Sequence, residues 1–246
     1  MGRQDFNQIA DDFSHTINQT KRHIRIPLFY KLIRDITAGY AADFGCGDGF
    51  FTRLLAGLGF KKVIGVDSSE SLIQKARQFE EEQRLGIEYV LADVRFLNLK
   101  NKFDIIAAVY LLDYAQTKEE LRSMLVSVYN HLVDNGKFCA IVPHPELKPM
   151  KKFEYGRRIT SVDGKKLFSD GGLLRCEIRD EKGNQVILNF YYWSKSAYEE
   201  CLAEVGFKRI EWVEPVINEE AIKTYRKKYW EKLRKNPSSI GLICFK

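Results

Sequence analysis

Residues 40–49 have the sequence YAADFGCGDG, a short apolar run that passes into a loop with a glycine at every second position. Residues 50–58 then have the character of a helix, and Gly57 and Gly59 are typical of a helix end. Glycines let a backbone adopt conformations that other residues avoid and approach a ligand closely. This stretch therefore predicts a strand, a ligand-binding turn and a helix, which is the first unit of an open α/β sheet.

The same strand–helix alternation continues after this unit. A capping box at Thr117 and Glu120 marks the start of one later helix. Short connections between alternating elements favour a doubly wound, mostly parallel sheet with helices on both faces. A (β/α) barrel would need eight such units, and about five are visible before residue 145. The predicted strands of the main sheet cover residues 40–44, 63–66, 87–91, 103–110, 138–142, 208–213 and 240–245.

The alternation stops after Pro145, and residues 146–193 contain candidate strands at 157–162, 173–179 and 185–193. We expect a small antiparallel β insertion after the fifth strand that acts as a lid. Residues 1–36 are predicted to form an N-terminal helical cap and residues 218–236 a basic C-terminal helix. No linker or repeat separates these parts, so residues 1–246 are interpreted as one domain.

Composition limits the class of protein. The 246 residues are 45% hydrophobic, which excludes a disordered chain, and the longest uncharged apolar run, residues 105–112, is too short to span a bilayer as a helix. With no segment typical of a signal peptide, we expect a cytoplasmic protein with no membrane partner. Five irregularly spaced cysteines and four scattered histidines predict neither a disulfide framework nor a metal site.

Most of the formal net charge of +6 comes from residues 221–236. Ile222, Tyr225, Tyr229 and Leu233 form an apolar stripe on this predicted helix. The pattern favours a surface helix that packs on the sheet with its basic face in water. Nucleic acid is a less favoured partner than a small-molecule substrate.

Three acidic residues lie at the ends of three successive predicted strands: Asp43, Asp67 and Asp93. Asp43 would repel a pyrophosphate but attract the ammonium of an amino-acid-like ligand. Asp67 is suited to a ribose diol, and Asp93 to an exocyclic amine. Each alone could be a helix cap or a loop acid, but three at successive strand ends indicate one ligand site. Phe50 stands where a dinucleotide fingerprint has its third glycine, and the Walker lysine is absent.

These motifs resemble those of the class I S-adenosylmethionine-dependent methyltransferases over about residues 40–143. Residues 43–49 are similar to the family's first glycine motif, Val66-Asp67 to its ribose-binding acid, and Ala92-Asp93-Val94 to its adenine-binding motif. The resemblance implies a seven-stranded Rossmann-like sheet and S-adenosyl-L-methionine as cofactor. It implies that the cofactor-binding residues are Asp43, Gly45, Cys46, Gly47, Asp67, Ser68, Asp93, Val94 and Tyr110, with Cys46 in a packing role rather than as a nucleophile.

A weaker resemblance in the C-terminal half is to toxoflavin (azapteridine) type small-molecule N-methyltransferases. It is carried by Tyr191-Tyr192-Trp193, Tyr198 and Tyr229-Trp230. It implies a small aromatic or heterocyclic acceptor with a nitrogen or oxygen nucleophile. An RNA or protein methyltransferase and a catalytically silent cofactor-binding protein are the alternatives.

In-line methyl transfer requires alignment and exclusion of water, while an acid or base is optional. The catalytic candidates are His144 after the fifth strand and Asp113 and Tyr114 after the fourth. The expected substrate-contacting residues are Phe13, Tyr192 and Trp193. The basic cluster Lys21, Arg22 and Arg25 is expected to be solvated.

Overall fold

The structure is a computed structural model that describes residues 4–15, 20–36, 38–162, 168–180 and 183–246, with only the backbone for residues 13, 15 and 226–228. Its strands are β1 (Tyr40–Phe44), β2 (Lys62–Asp67), β3 (Ile87–Leu91), β4 (Phe103–Val109), β5 (Leu132–Pro143), β6 (Arg157–Ser161), β7 (Gly172–Arg179), β8 (Gln185–Tyr192), β9 (Arg209–Val213) and β10 (Ser239–Phe245). Its α-helices are α1 (Ala10–His15), α2 (Ile26–Ile33), α3 (Phe50–Ala56), α4 (Glu70–Glu82), α5 (Lys118–His131), α6 (Lys195–Val205), α7 (Glu219–Tyr229) and α8 (Glu231–Lys235).

Seven strands form one sheet in the order β3-β2-β1-β4-β5-β10-β9. The first five are parallel, and β10 runs antiparallel between β5 and β9. Strands β6, β7 and β8 form a separate antiparallel sheet. The predicted doubly wound, seven-stranded, mostly parallel sheet with a small antiparallel insertion after the fifth strand is confirmed.

The central strands are apolar because helices cover both of their faces. Ala42 and Ile106 face a core that includes residues of α5 and α6, whereas Ala41 and Ile105 face a core that includes residues of α2 and α3. Strand β5 is longer than the predicted 138–142, because residues 134–136 form an irregularity in the strand rather than a turn outside it.

The C-terminal basic segment contains two helices, α7 and α8, which are separated at Trp230. Trp230 is 1% exposed and packs with Ile24 of the N-terminal helical segment. Its ring stacks on Tyr155 at a centroid distance of 5.3 Å, and its Nε1 donates to the Ala221 carbonyl. The expected packing of this segment on the sheet is therefore wrong, since Trp230 joins it to the N-terminal helices and to residue 155.

Among the helices of the described ranges, none has the length and apolar character that a membrane crossing requires.

Candidate active site

A cavity of about 230 Å³ lies at the carboxyl ends of β1 to β4. The glycine loop after β1 and the acidic loops after β2 and β3 form one wall, and the inner face of β6 to β8 forms another. In an open α/β sheet this edge is the expected ligand site. The cavity therefore lies between the carboxyl edge of the main sheet and the inserted three-stranded sheet.

The glycine loop is held tightly against β2. The backbone N–H groups of Gly45 and Cys46 both donate to the Val66 carbonyl, at 2.8 and 3.0 Å. Gly49 caps helix α3 with φ +78, and a Cβ at this position would lie 2.3 Å from the Tyr89 hydroxyl oxygen. Only glycine fits this turn without displacing the tyrosine.

Asp43 carries an unsatisfied oxygen at the base of this loop. Its side chain is 1% exposed, and Oδ2 accepts a hydrogen bond from the Thr52 hydroxyl at 2.7 Å, while Oδ1 has no partner among the described residues. Burial raises the pKa of Asp43 to about 7; the Thr52 hydrogen bond lowers it, and nearby Asp67 and Asp48 raise it further. A buried acceptor without a partner at a cavity wall fits a cationic ligand group.

Asp67 ends β2 and links two loops. Its Oδ2 accepts from the backbone N–H of Gly47 and its Oδ1 from that of Ser69, both at 2.8 Å. Burial raises the pKa of Asp67, whereas its backbone hydrogen bonds lower it. Asp67 and the neighbouring Ser68 both line the cavity, so the Asp67 carboxylate and the loop after β2 face the same space.

Asp93 follows β3 and is anchored by an arginine. Both of its carboxylate oxygens accept from Arg95, with Oδ2 at 2.6 Å from the arginine Nη2, and Arg95 also pairs with Glu120. Asp93 and the buried Val94 line the cavity. The Arg95 contacts fix the orientation of the Asp93 carboxylate at the end of the cavity next to β3.

The loop after β4 brings Tyr110, Asp113 and Tyr114 into the cavity wall. Tyr110 has a φ of +57, which is unusual for a tyrosine, and its hydroxyl lies 2.5 Å from the Ser239 hydroxyl. Asp113 is 2% exposed with Oδ1 unpartnered among the described residues, and burial raises its pKa to about 7. A carboxyl that titrates near neutral pH in a cavity has the properties of a general base.

The N-terminal segment covers the cavity. Gln4 accepts from the Asn189 backbone of β8, and Asn7 accepts from the Ser69 hydroxyl, so residues 4–7 bridge the two walls. The Phe6 ring packs edge-on against Tyr114 at 5.1 Å. Phe13, which we expected near the site, has a side chain outside the described residues.

Two basic residues before α2 also line the cavity, which makes the expectation of a solvated cluster wrong for them. Lys21 lies over the Phe50 ring at 4.0 Å, and burial lowers its pKa to about 8. Arg25 lies over the Tyr110 ring at 5.4 Å. Arg22, the third member, is exposed.

Three predicted catalytic or substrate residues lie outside the cavity wall. Both ring nitrogens of His144 face other groups, since Nδ1 accepts from the Glu146 backbone at 3.1 Å and Nε2 lies 3.6 Å from a Glu214 oxygen. The Tyr192 hydroxyl donates to the Pro145 carbonyl, and Trp193 belongs to the main core with its Nε1 donating to Ala115. These residues follow strands that end near the site, but hydrogen bonds to other groups hold their side chains away from the cavity.

Cys46 lines the cavity but has no nucleophilic character. Burial, together with the charges of Asp67 and Asp43, raises the pKa of its thiol well above the usual range. Its Sγ lies 3.1 Å from where a Cβ on Gly65 would be, so the thiol fills space between β1 and β2.

Within the described ranges, no three His, Cys, Asp or Glu side chains lie together in a way that could hold a metal ion.

Sequence analysis predicted the three strands of the second wall and their role as a lid, but it did not identify the residues on their inner face. Arg157 and Ile159 of β6, Cys176 and Ile178 of β7, and Phe190 of β8 all line the cavity. The available signal was the period of two along a strand, which places Arg157 on the same face as Ile159. The sequence does not reveal that this face meets the main sheet.

Comparison with known proteins agrees with this geometry. Residues 41–136 match a family model described as a methyltransferase domain. The ubiquinone biosynthesis O-methyltransferase of Coxiella burnetii is 32% identical over 121 residues, which are 47% of this chain and 51% of that protein. The chain thus spans about half the length of the curated relatives it matches.

Solved structures share the fold over nearly the full chain. The CcbJ methyltransferase from Streptomyces caelestis has a TM-score of 0.66 at 17% identity and covers 99% of this chain and 98% of its own. An S-adenosylmethionine-dependent methyltransferase from Clostridium acetobutylicum has a TM-score of 0.64 at 17% identity, covering 98% of this chain and 97% of its own. Residues 41–136 thus match a methyltransferase domain, and the sheet order is part of a fold shared with solved S-adenosylmethionine-dependent methyltransferases.

Proposed function

We propose that this protein transfers the methyl group of S-adenosyl-L-methionine to an oxygen or nitrogen nucleophile of a small aromatic or heterocyclic molecule. The observation that carries the proposal is the single cavity in which the three strand-end acids and the apolar face of β6 to β8 share one space. Such a cavity offers room for a charged, polar ligand beside a flat apolar one. In this proposal residues 1–246 form one domain, and residues 1–36 and 146–193 cover the site.

The cofactor half of the cavity has the donor and acceptor groups that S-adenosylmethionine requires. The unpartnered Oδ1 of Asp43 would accept from its ammonium, beside the loop of Gly45 and Gly47. Asp67 would accept from the ribose hydroxyls, and Asp93 with Val94 would meet the adenine. When bound, the cofactor supplies a sulfonium methyl group, which already has a good leaving group.

The chain's own part in the reaction is to align the acceptor, exclude water and accept a proton. Phe6 with Tyr114 on one side and the inner face of β6 to β8 on the other keep water from the acceptor end. We assign the proton to an oxygen of Asp113, because its carboxyl is buried at the cavity wall and has a pKa of about 7. Tyr114, which follows Asp113, would orient the acceptor by its ring.

The names of the sequence relatives favour oxygen over nitrogen within this proposal. The Coxiella burnetii relative is an O-methyltransferase, and its similarity extends over 121 residues, 47% of this chain. A hydroxyl acceptor would also use a general base with a pKa near 7, because the attacking oxygen must lose its proton.

Two measurements test the proposal. S-adenosylhomocysteine binding is followed by calorimetry, and methyl transfer from labelled cofactor is screened over pools of phenols, catechols and heterocyclic amines. We expect binding to wild type and a loss of about 10- to 100-fold in Asp67→Asn, which loses charge-assisted hydrogen bonds.

A matched control for Asp67→Asn is Asp104→Asn. Asp104 also accepts from a backbone N–H, that of Tyr40 at 2.7 Å, but at the opposite end of the sheet. Its substitution should leave the affinity within about twofold. Equal affinity of wild type and Asp67→Asn would contradict the assignment of the cofactor half. Cofactor binding without transfer to any pool would favour a silent binding protein.

A further inference from the structure

On the inner face of the three-stranded sheet, one charged side chain, that of Arg157, lies among apolar side chains. Strand pairing places Arg157 beside Ile178, Ile159 beside Cys176, and Ile178 beside Val186. All of these side chains line the cavity, and apart from Arg157 they are apolar or a buried thiol. A charged residue at an inward position of such a face is costly unless something compensates for it.

Arg157 is buried, and one of its donor groups lacks a hydrogen-bond partner in the described part of the chain. The residue is 5% exposed, and its Nε has no hydrogen-bond partner among the described residues. Burial lowers its pKa and the neighbouring charge of Arg25 lowers it further, whereas the charge of Glu154 raises it. The arginine at the next position behaves differently: Arg158 lies on the outer face and pairs with Glu177 at 2.5 Å.

In the described part of the chain, neither nearby acid forms an ion pair with Arg157. The Glu154 carboxylate lies 3.4 Å from the Lys232 ammonium. Asp113, on the other wall of the cavity, is buried, and burial raises its pKa to about 7. Arg25 lies near the same end of the cavity, above Tyr110. Two arginine side chains, Arg157 and Arg25, therefore line this end of the cavity, whereas Asp43, Asp48 and Asp67 line the glycine-loop end.

We propose that the methyl acceptor carries an oxyanion, a carboxylate or a phosphate, which the Arg157 guanidinium binds under the β6–β8 sheet. The inference rests on the proposed function and adds the chemical class of the acceptor. A guanidinium presents parallel N–H donors that match both oxyanions, and an apolar surround strengthens such a pair by excluding water. The aromatic part of the acceptor would then lie along Ile159 and Phe190, towards Tyr114.

The test compares anionic and neutral probes of the same shape. Wild-type protein saturated with S-adenosylhomocysteine is titrated with 3,4-dihydroxybenzoate and 4-hydroxyphenyl phosphate, and with 3,4-dihydroxybenzamide as the neutral isostere. We expect the better of the two anions to bind about 10- to 100-fold more tightly than the amide. The preferred anion distinguishes a carboxylate acceptor from a phosphate one.

The variants identify the residue responsible. Arg157→Met should remove the preference for the anion, and Arg157→Lys should keep part of it, since lysine retains the charge without the fork of donors. Arg158→Met, the matched control on the outer face, should keep the whole preference. All three variants should bind S-adenosylhomocysteine within about twofold of wild type, which also shows that they are folded.

Failure of the inference and failure of the proposed function give different results. A protein that binds S-adenosylhomocysteine but neither anion, or binds anion and amide equally, would overturn the inference alone. The same follows if the anion preference survives in Arg157→Met. A wild type that does not bind S-adenosylhomocysteine would overturn the proposed function, and the acceptor inference with it.

Discussion

Replacing Asp43 with asparagine tests the cofactor half of the site, because it should abolish the proton release that we expect when the ligand binds. The carboxyl is buried, one oxygen has no partner within the described ranges, and its pKa is about 7 mainly because of burial. Binding of a ligand ammonium requires the ionised carboxylate. We therefore expect S-adenosylhomocysteine binding to release a proton from the fraction of molecules in which Asp43 is protonated.

The expected size follows from the pKa. With a free carboxyl at about 7 that is ionised in the complex, the apparent dissociation constant contains the factor 1 + 10^(7 − pH). The affinity should rise about eightfold from pH 6.0 to pH 7.5, and about half a proton should be released at pH 7. The range stops at pH 7.5 because Lys21, which also lines the cavity, has a pKa lowered by burial to about 8.

Calorimetry in two buffers with different ionisation enthalpies measures both the affinity and the released proton. Asp43→Asn keeps an oxygen that can accept from Thr52, so the local packing is preserved. This variant should bind about 10- to 100-fold more weakly at pH 7.5 and show no pH dependence from this site. Asp113→Asn is the control, since Asp113 titrates near the same pH on another wall. A flat profile in wild type, or an unchanged slope in Asp43→Asn, would refute the reasoning.

Three further predictions concern stability and are checked by urea unfolding. Gly49→Ala should lower the free energy of unfolding by about 1 to 3 kcal/mol more than Gly59→Ala, because both positions have positive φ but only a Cβ at position 49 would meet Tyr89. Equal losses in the two variants would contradict the steric argument. Asp113 has a folded pKa near 7 against 3.8 for an ordinary Asp, so ionisation favours the unfolded chain. Wild type should therefore lose up to about 1.4 kcal/mol per pH unit from pH 4 to pH 7 relative to Asp113→Asn, and parallel profiles would disprove this. Trp230→Ala should lower the free energy of unfolding by about 3 to 5 kcal/mol and Trp230→Phe by less; a negligible loss in both would mean that this ring does not anchor the C-terminal helices.

The cofactor half of the site was largely predictable because its residues are local in sequence. A glycine loop after one strand and acids after the next two strands need no knowledge of the tertiary structure. Parallel strands bring their carboxyl ends to one edge, so Asp43, Asp67 and Asp93 line the same cavity. The roles of individual residues in catalysis and cofactor binding are still predictions.

The acceptor half was poorly predictable because it depends on where side chains point. His144 follows β5 as expected, but Glu146 and Glu214 direct its ring away from the cavity. Trp193 lies one residue after the end of β8, and its side chain enters the main core rather than the cavity. Residue type and chain position do not indicate whether such a side chain points into the cavity or into the core.

The order of residues by itself determined the alternation of strands and helices, the glycine loop and the three strand-end acids, since these follow from local periodicity and turn chemistry. Only the tertiary structure decided that a second sheet faces the first across a cavity. That packing brings Arg157, remote from the glycine loop in sequence, into the same space and buries it with no partner for its Nε among the residues that the structure describes. Long-range contacts of this kind arise from the burial of whole faces, which no single segment encodes.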